Sequence, residues 1–184
     1  MSRIISHAFY ILIALWIIHA VQFFLFSEIG QYGIYPRSIS GLTGIITAPW
    51  IHHSWWHLIS NSIPFLILGT LVQLKSSVIF LESTLIIVLL SGIGTWIFGS
   101  PAYHAGASAL ILGYWSFLLT DAYNTKSIKA ILLGSVAVVM YGGFLFILLD
   151  VRTHISWVGH ASGLVAGIIA ANLYFNSENS SAKD

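Results

Sequence analysis

The chain has no cysteine, which excludes disulfides, thiolate metal ligands and cysteine nucleophiles together. Charge is almost as scarce: 7% of its 184 residues are Asp, Glu, Lys or Arg, where soluble domains carry about a quarter. With a net charge of +1 there is no broad basic face, so nucleic acid is not an expected partner. There is also no internal repeat, no low-complexity block and no composition shift that would mark a second domain.

What the sequence has in abundance is apolar surface. Hydrophobic residues make up 57% of the chain and mean hydropathy is +0.88, from which no water-facing exterior can be built. The reading is an all-α membrane protein with one domain over 1–176 and a polar tail over 177–184.

Six apolar runs are predicted as spans: 7–26, 56–74, 78–98, about 106–120, 128–149 and 157–175. The first is read as a retained helix, not a cleaved leader, because five more follow it. His19 and Gln22, one turn apart, give it a polar stripe expected to face neighbouring helices. The connection over 28–51 carries Pro36, Pro49, several glycines and interspersed aromatics. It is predicted as an ordered loop with short helical pieces, partly sunk in the membrane interface.

The fourth run, ended by Asp121, is roughly 22 Å long against a hydrocarbon core of about 30 Å. It is therefore expected to start inside the membrane, with the preceding Tyr103, His104 and Ala105 lining a wet pocket, the only setting where irregular backbone is tolerated at that depth. Six spans put Arg3, Lys75, Lys126, Lys129 and Lys183 on one side and Arg37 and Arg152 on the other, which predicts cytoplasmic termini.

The polar residues of three runs then align. Counted back from the cytoplasmic ends, Asn61, Ser108 and His160 stand at heights of roughly 21, 20 and 24 Å, in the outer half. Gly159, Gly163 and Gly167 recur every fourth residue in the last run, as do Ala109 and Gly113 in the fourth. Such faces bring membrane helices backbone to backbone, the closeness a serine–histidine hydrogen bond between helices requires.

At Gly106-Ala107-Ser108, His57 to Asn61 and Gly159 to Gly163 the sequence resembles the rhomboid family of intramembrane serine proteases. The stretches Gly33 to Arg37, Gly41 to Ile45 and Pro49 to His52 are similar to the first loop of many bacterial members. The resemblance implies a six-helix bundle with Ser108 as nucleophile and His160 as general base, a dyad with no third carboxylate. Serine chemistry agrees, since the hydroxyl attacks only when a neighbouring base takes its proton. The resemblance also implies that His57 and Asn61, four apart on one helical face, stabilise the oxyanion together with the Ser108 backbone N–H.

The same likeness implies single-span membrane proteins as substrates, cut near the outer face in a segment that unwinds easily, with a small residue before the cut. It implies residence in the inner or plasma membrane and no cofactor or metal. Entry of the substrate helix is expected at the fifth run, where Gly142-Gly143 precedes Phe144 and Phe146. Three positions depart from the family pattern: Ala109 where Gly is common, Leu112 where some members place a tyrosine against the histidine, and Gln73 where many carry an acid.

Two rival readings stand beside this one. The first is a His-rich membrane metal protein or transporter: His53 and His57 have metal-ligand spacing, with His52, His104 or His160 as a third ligand, but no carboxylate accompanies them as in the metalloprotease motif. A non-catalytic relative that only binds membrane helices would be expected to lack the serine or the histidine, and both are present.

Overall fold

The computed structural model describes residues 6–25, 27–143 and 156–181. Arg3, Phe144, Phe146, Asp150, Arg152 and Lys183 lie outside them. Seven α-helices occur among the described residues: α1 Ser6–Leu25, the single turn α2 Gly44–Thr47, α3 Trp55–Gln73, α4 Ser77–Phe98, α5 Ser108–Thr125, α6 Ile128–Tyr141 and α7 Trp157–Ser181. Four of the segments are long and apolar enough to cross a membrane: His7–Leu25, Trp55–Gln73, Ser77–Phe98 and Trp157–Ser177.

Serines start several of these helices. Ser54, Ser76 and Ser127 each sit in extended backbone and accept a hydrogen bond from an amide of the first turn of α3, α4 and α6, which satisfies donors the helix itself leaves open. The loop over 28–51 is ordered through short helical pieces, Ser40–Leu42, α2 and Ala48–Trp50. Arg37 anchors it. Its guanidinium Nη1 donates to the carbonyls of Ile97 (3.0 Å) and Gly99 (2.9 Å) at the C-terminal end of α4, where a cation also meets the negative end of the helix dipole. The indole of Trp96 donates back to Ser38 O at 2.9 Å.

α5 is the central helix. It packs most extensively on α7 and also meets α3, α4 and α6, and every residue from Leu110 to Leu118 is buried, as expected of a helix apolar on all sides. Small residues set its distance from α7. A Cβ on Gly163 would lie 2.2 Å from Ala109 O, and one on Gly167 would lie 2.0 Å from Gly113 O. Ser116 Oγ donates across the same seam to Leu164 O at 2.8 Å.

Two expectations about lengths are corrected. α5 begins at Ser108 and runs 18 residues to Thr125, roughly 27 Å, so it is longer than the roughly 22 Å read from the sequence, though still short of a core of about 30 Å. α7 continues to Ser181 through the stretch read as a tail. The extra length turns on Asp121, which reads in the sequence as the end of the span but lies 2% exposed inside α5, paired with Lys75 from just beyond α3. Lys75 also lies over the Tyr174 ring, 5.6 Å from its centroid, which ties α3, α5 and α7 together at one end. Asp121→Asn, which removes the buried anion but leaves the lysine, is expected to lower stability by about 2 kcal/mol while sparing the chemistry at the far end of α5. Thermal unfolding in detergent measures it.

Candidate active site

The chain approaches Ser108 through a pinned loop. Ile34 and His104 exchange both backbone hydrogen bonds at 2.8 Å, and Gly106 N donates to Ala48 O at 2.9 Å. Gly106 then turns at φ +117°, and a Cβ there would lie 2.6 Å from the His57 ring. Both facts demand glycine. The turn thus lays the His57 imidazole against the backbone two residues before Ser108.

Ser108 is the first residue of α5, and no side chain caps that helix. Its first-turn amides therefore keep the donors and the positive dipole end that suit a developing anion. Across the seam, Ser108 Oγ and His160 Nε2 are 2.9 Å apart, within range for proton transfer. His160 is the fourth residue of α7. In the tautomer protonated at Nδ1, Nε2 accepts the serine proton. Nδ1 itself is buried without a hydrogen-bond partner among the described residues, and Leu112, buried in α5, supplies none.

Asn61 is buried, and its amide donates to the carbonyl of His57 at 2.9 Å. One of its two amide hydrogens is therefore held within α3 and the other is left over. The structure thus unites Ser108 with His160 and seats His57 beside Gly106, while Asn61 makes its hydrogen bond inside its own helix.

His104 lines the cavity beside Ser108, as expected, and has a further task. Ser156 Oγ accepts from Gly159 N at 3.3 Å, so its proton is free to donate to His104 Nδ1 at 2.7 Å, and His104 Nε2 then donates to Ser100 O at 3.0 Å. This file ties the loop before α5 to the start of α7, four residues before His160. The only sequence signal was Ser156 just before an apolar helix, an N-cap position. A cavity of about 40 Å³, bordered by Ser91, Thr95, His104, Ala109 and Ser156, opens beside Ser108, enough space and polarity to hold water. Among the described residues no three His, Asp or Glu side chains are arranged to hold a metal ion.

His52, just before α3, is fully buried; burial first, then the neighbouring His57 and His19, push its imidazole down to about 3. The unfolded chain therefore binds a proton here below about pH 6.5 that the folded protein refuses, so stability falls as pH drops from 6.5 toward 3. Melting temperatures at pH 7 and pH 5 should differ less in His52→Gln than in the native protein.

Comparison with known proteins adds the lineage. The Rhomboid domain family matches residues 39–177. Uncharacterized proteins of Mycobacterium bovis and Mycobacterium tuberculosis are 40% identical over 156 residues, covering 80% of this chain and 65% of theirs. An uncharacterized protein of Mycobacterium leprae is 35% identical over 141 residues, covering 72% of this chain and 56% of its own. The chain thus spans under two thirds of the length of these relatives.

Proposed function

This chain belongs to the rhomboid family, and from that premise we propose that it is an intramembrane serine endopeptidase acting through Ser108 and His160. The observation that carries the reading is the 2.9 Å contact between Ser108 Oγ at an uncapped helix start and His160 Nε2 on the facing helix. His160 takes the hydroxyl proton as Oγ attacks the scissile carbonyl, then returns it to the leaving amine. A water admitted through the cavity beside Ser108 hydrolyses the acyl-enzyme by the same two transfers in reverse order. No carboxylate takes part.

The oxyanion that forms at attack is met by the Ser108 backbone N–H, by His57 and by the second amide hydrogen of Asn61. In this reading six helices cross the inner or plasma membrane with both termini in the cytoplasm, and Ser108 lies in the outer half. The substrates are single-span membrane proteins, cut where a helix is easily unwound and so exposes a carbonyl otherwise held in helical hydrogen bonds. The modest cavity next to Ser108 favours a small residue before the cut.

Asn61→Ala is expected to lower kcat by about 10² to 10³ with KM little changed, because the lost donor acts on charge that exists only in the transition state. Ser60→Ala is the control: this exposed serine donates only to His57 O in the same helix, and its loss should leave kcat intact. The activity itself is tested by placing the purified protein in liposomes with a panel of single-span proteins and mapping products by mass spectrometry. A cut in or near a spanning segment, insensitive to chelators and absent with Ser108→Ala, is the expected result. A cut that survives Ser108→Ala, or one that chelators stop, overturns the proposal.

A further inference from the structure

α1 reaches the candidate site through a file of buried rings. His19 and Gln22 on α1 are 2% and 8% exposed, and His52 is fully buried. The His19 ring approaches the backbone of His52, and the His52 ring that of Trp50, but no ring nitrogen of either, nor Oε1 of Gln22, makes a well-formed hydrogen bond among the described residues. Polar atoms so poorly satisfied on three adjacent buried side chains are costly. Packing alone does not account for them.

Their geometry supplies a role. The His19 ring meets Trp55 edge to face, with centroids 4.5 Å apart at 89°, and meets His52 at 6.2 Å and 90°. His52 meets His57 at 5.0 Å and 66°. Gln22 Nε2 donates to His52 O at 2.9 Å, fixing the backbone that carries the middle ring. In an edge-to-face contact the positive rim of one ring lies on the electron-rich face of the next, and a polarised N–H rim does this better than C–H. A neutral imidazole carries one N–H, so one nitrogen of each ring can address the face of its neighbour in this way. Each contact fixes the plane of the next ring, and the last ring in the file is the one laid against Gly106.

We propose that His52, held in place by His19 and Gln22 of α1, is a positioning residue that sets the ring plane of His57. The proposal rests on the reading of His57 as an oxyanion donor, because only a donor that must point at a developing charge needs its plane held so closely. His19 and Gln22 then act through His52, and α1 becomes part of the catalytic apparatus without touching substrate.

The test is a double-mutant cycle in liposomes, with kcat and KM measured for His52→Phe, His19→Phe and Gln22→Leu, alone and combined with His57→Ala. Phenylalanine keeps ring shape and removes the polar rim. The expected result is a fall in kcat of about tenfold for His52→Phe and about threefold for the two α1 variants, KM within about twofold, and no further loss once His57 is alanine. His52→Gln, which returns a polar N–H, should recover part of the loss. Melting temperatures should hold or rise for the two His→Phe variants, since poorly satisfied polar atoms are removed, and fall slightly for Gln22→Leu, which also removes the donor to His52 O.

If the losses are the same with and without His57, or absent altogether, the positioning role is overturned. If His52→Phe does not fold, the cycles through His19→Phe and Gln22→Leu decide by the same criterion. If His57→Ala alone keeps the native kcat, the donor role of His57 fails and this proposal with it. Loss of turnover in Ser108→Ala in that same series would still leave the protease reading standing.

Discussion

Ser108→Ala and His160→Ala should each abolish cleavage, by a factor of about 10⁴ or more, and the double variant should be no worse than either single one. Nucleophile and base act as a unit, so losing either removes the whole of their joint contribution. The half-buried serine beside a cavity and the histidine whose Nδ1 has no hydrogen-bond partner among the described residues are not pillars of the core. Both variants should therefore melt within about 1 to 2 kcal/mol of the native protein. Single-turnover measurements on a cleavable single-span substrate give the first quantity and thermal unfolding the second. Native-like turnover in either variant means the assignment is wrong.

The second large effect is on the fold. Gly163→Ala with Gly167→Ala should cost about 3 to 5 kcal/mol together and remove activity as well. Each new methyl would lie within 2.2 Å of a backbone oxygen of α5, which no side-chain rotation relieves, so α7 must move away from α5. That movement also stretches the contact between Ser108 and His160. Gly143→Ala is the control, because a Cβ there meets nothing within 4 Å among the described residues; it should change stability by no more than about 0.5 kcal/mol. Equal destabilisation by both substitutions would show that the seam between α5 and α7 is not what these glycines serve.

Those glycines also show which features of the protein were readable in its sequence. Spacing of four in the last and fourth runs pointed to one close helix pair, and that pair carries Ser108 and His160. The short helical pieces of the first loop followed from Gly and Pro placed among apolar residues. Heights counted from helix ends were a weaker guide. α5 and α7 both overrun the ends that their polar residues seemed to mark.

What stayed hidden were partnerships between distant polar residues. Asp121 and Lys75 each looked like the water-facing end of a span, because sequence shows a charge but not the countercharge 46 positions away that lets it be buried. Gln73, noted only as a departure from an acidic position, accepts a hydrogen bond from Ala8 N at the start of α1. His104 lines the cavity beside Ser108 as its place before α5 suggests, but its hydrogen bonds to Ser156 and Ser100 are not readable from the sequence. His19 and Gln22 were read as an inward polar stripe, and which residue they face depends on how the first loop folds over α1. Periodicity reports the face a residue occupies; it carries no information on what waits there.

The most direct test of the account is covalent. Treating the purified, cleavage-competent protein with a fluorophosphonate and determining the intact mass and the modified peptide should give one adduct, on Ser108, that fails to form in His160→Ala. An adduct on any other residue, an adduct that forms equally well without His160, or no adduct in a preparation that cleaves substrate would contradict a serine nucleophile activated by that histidine.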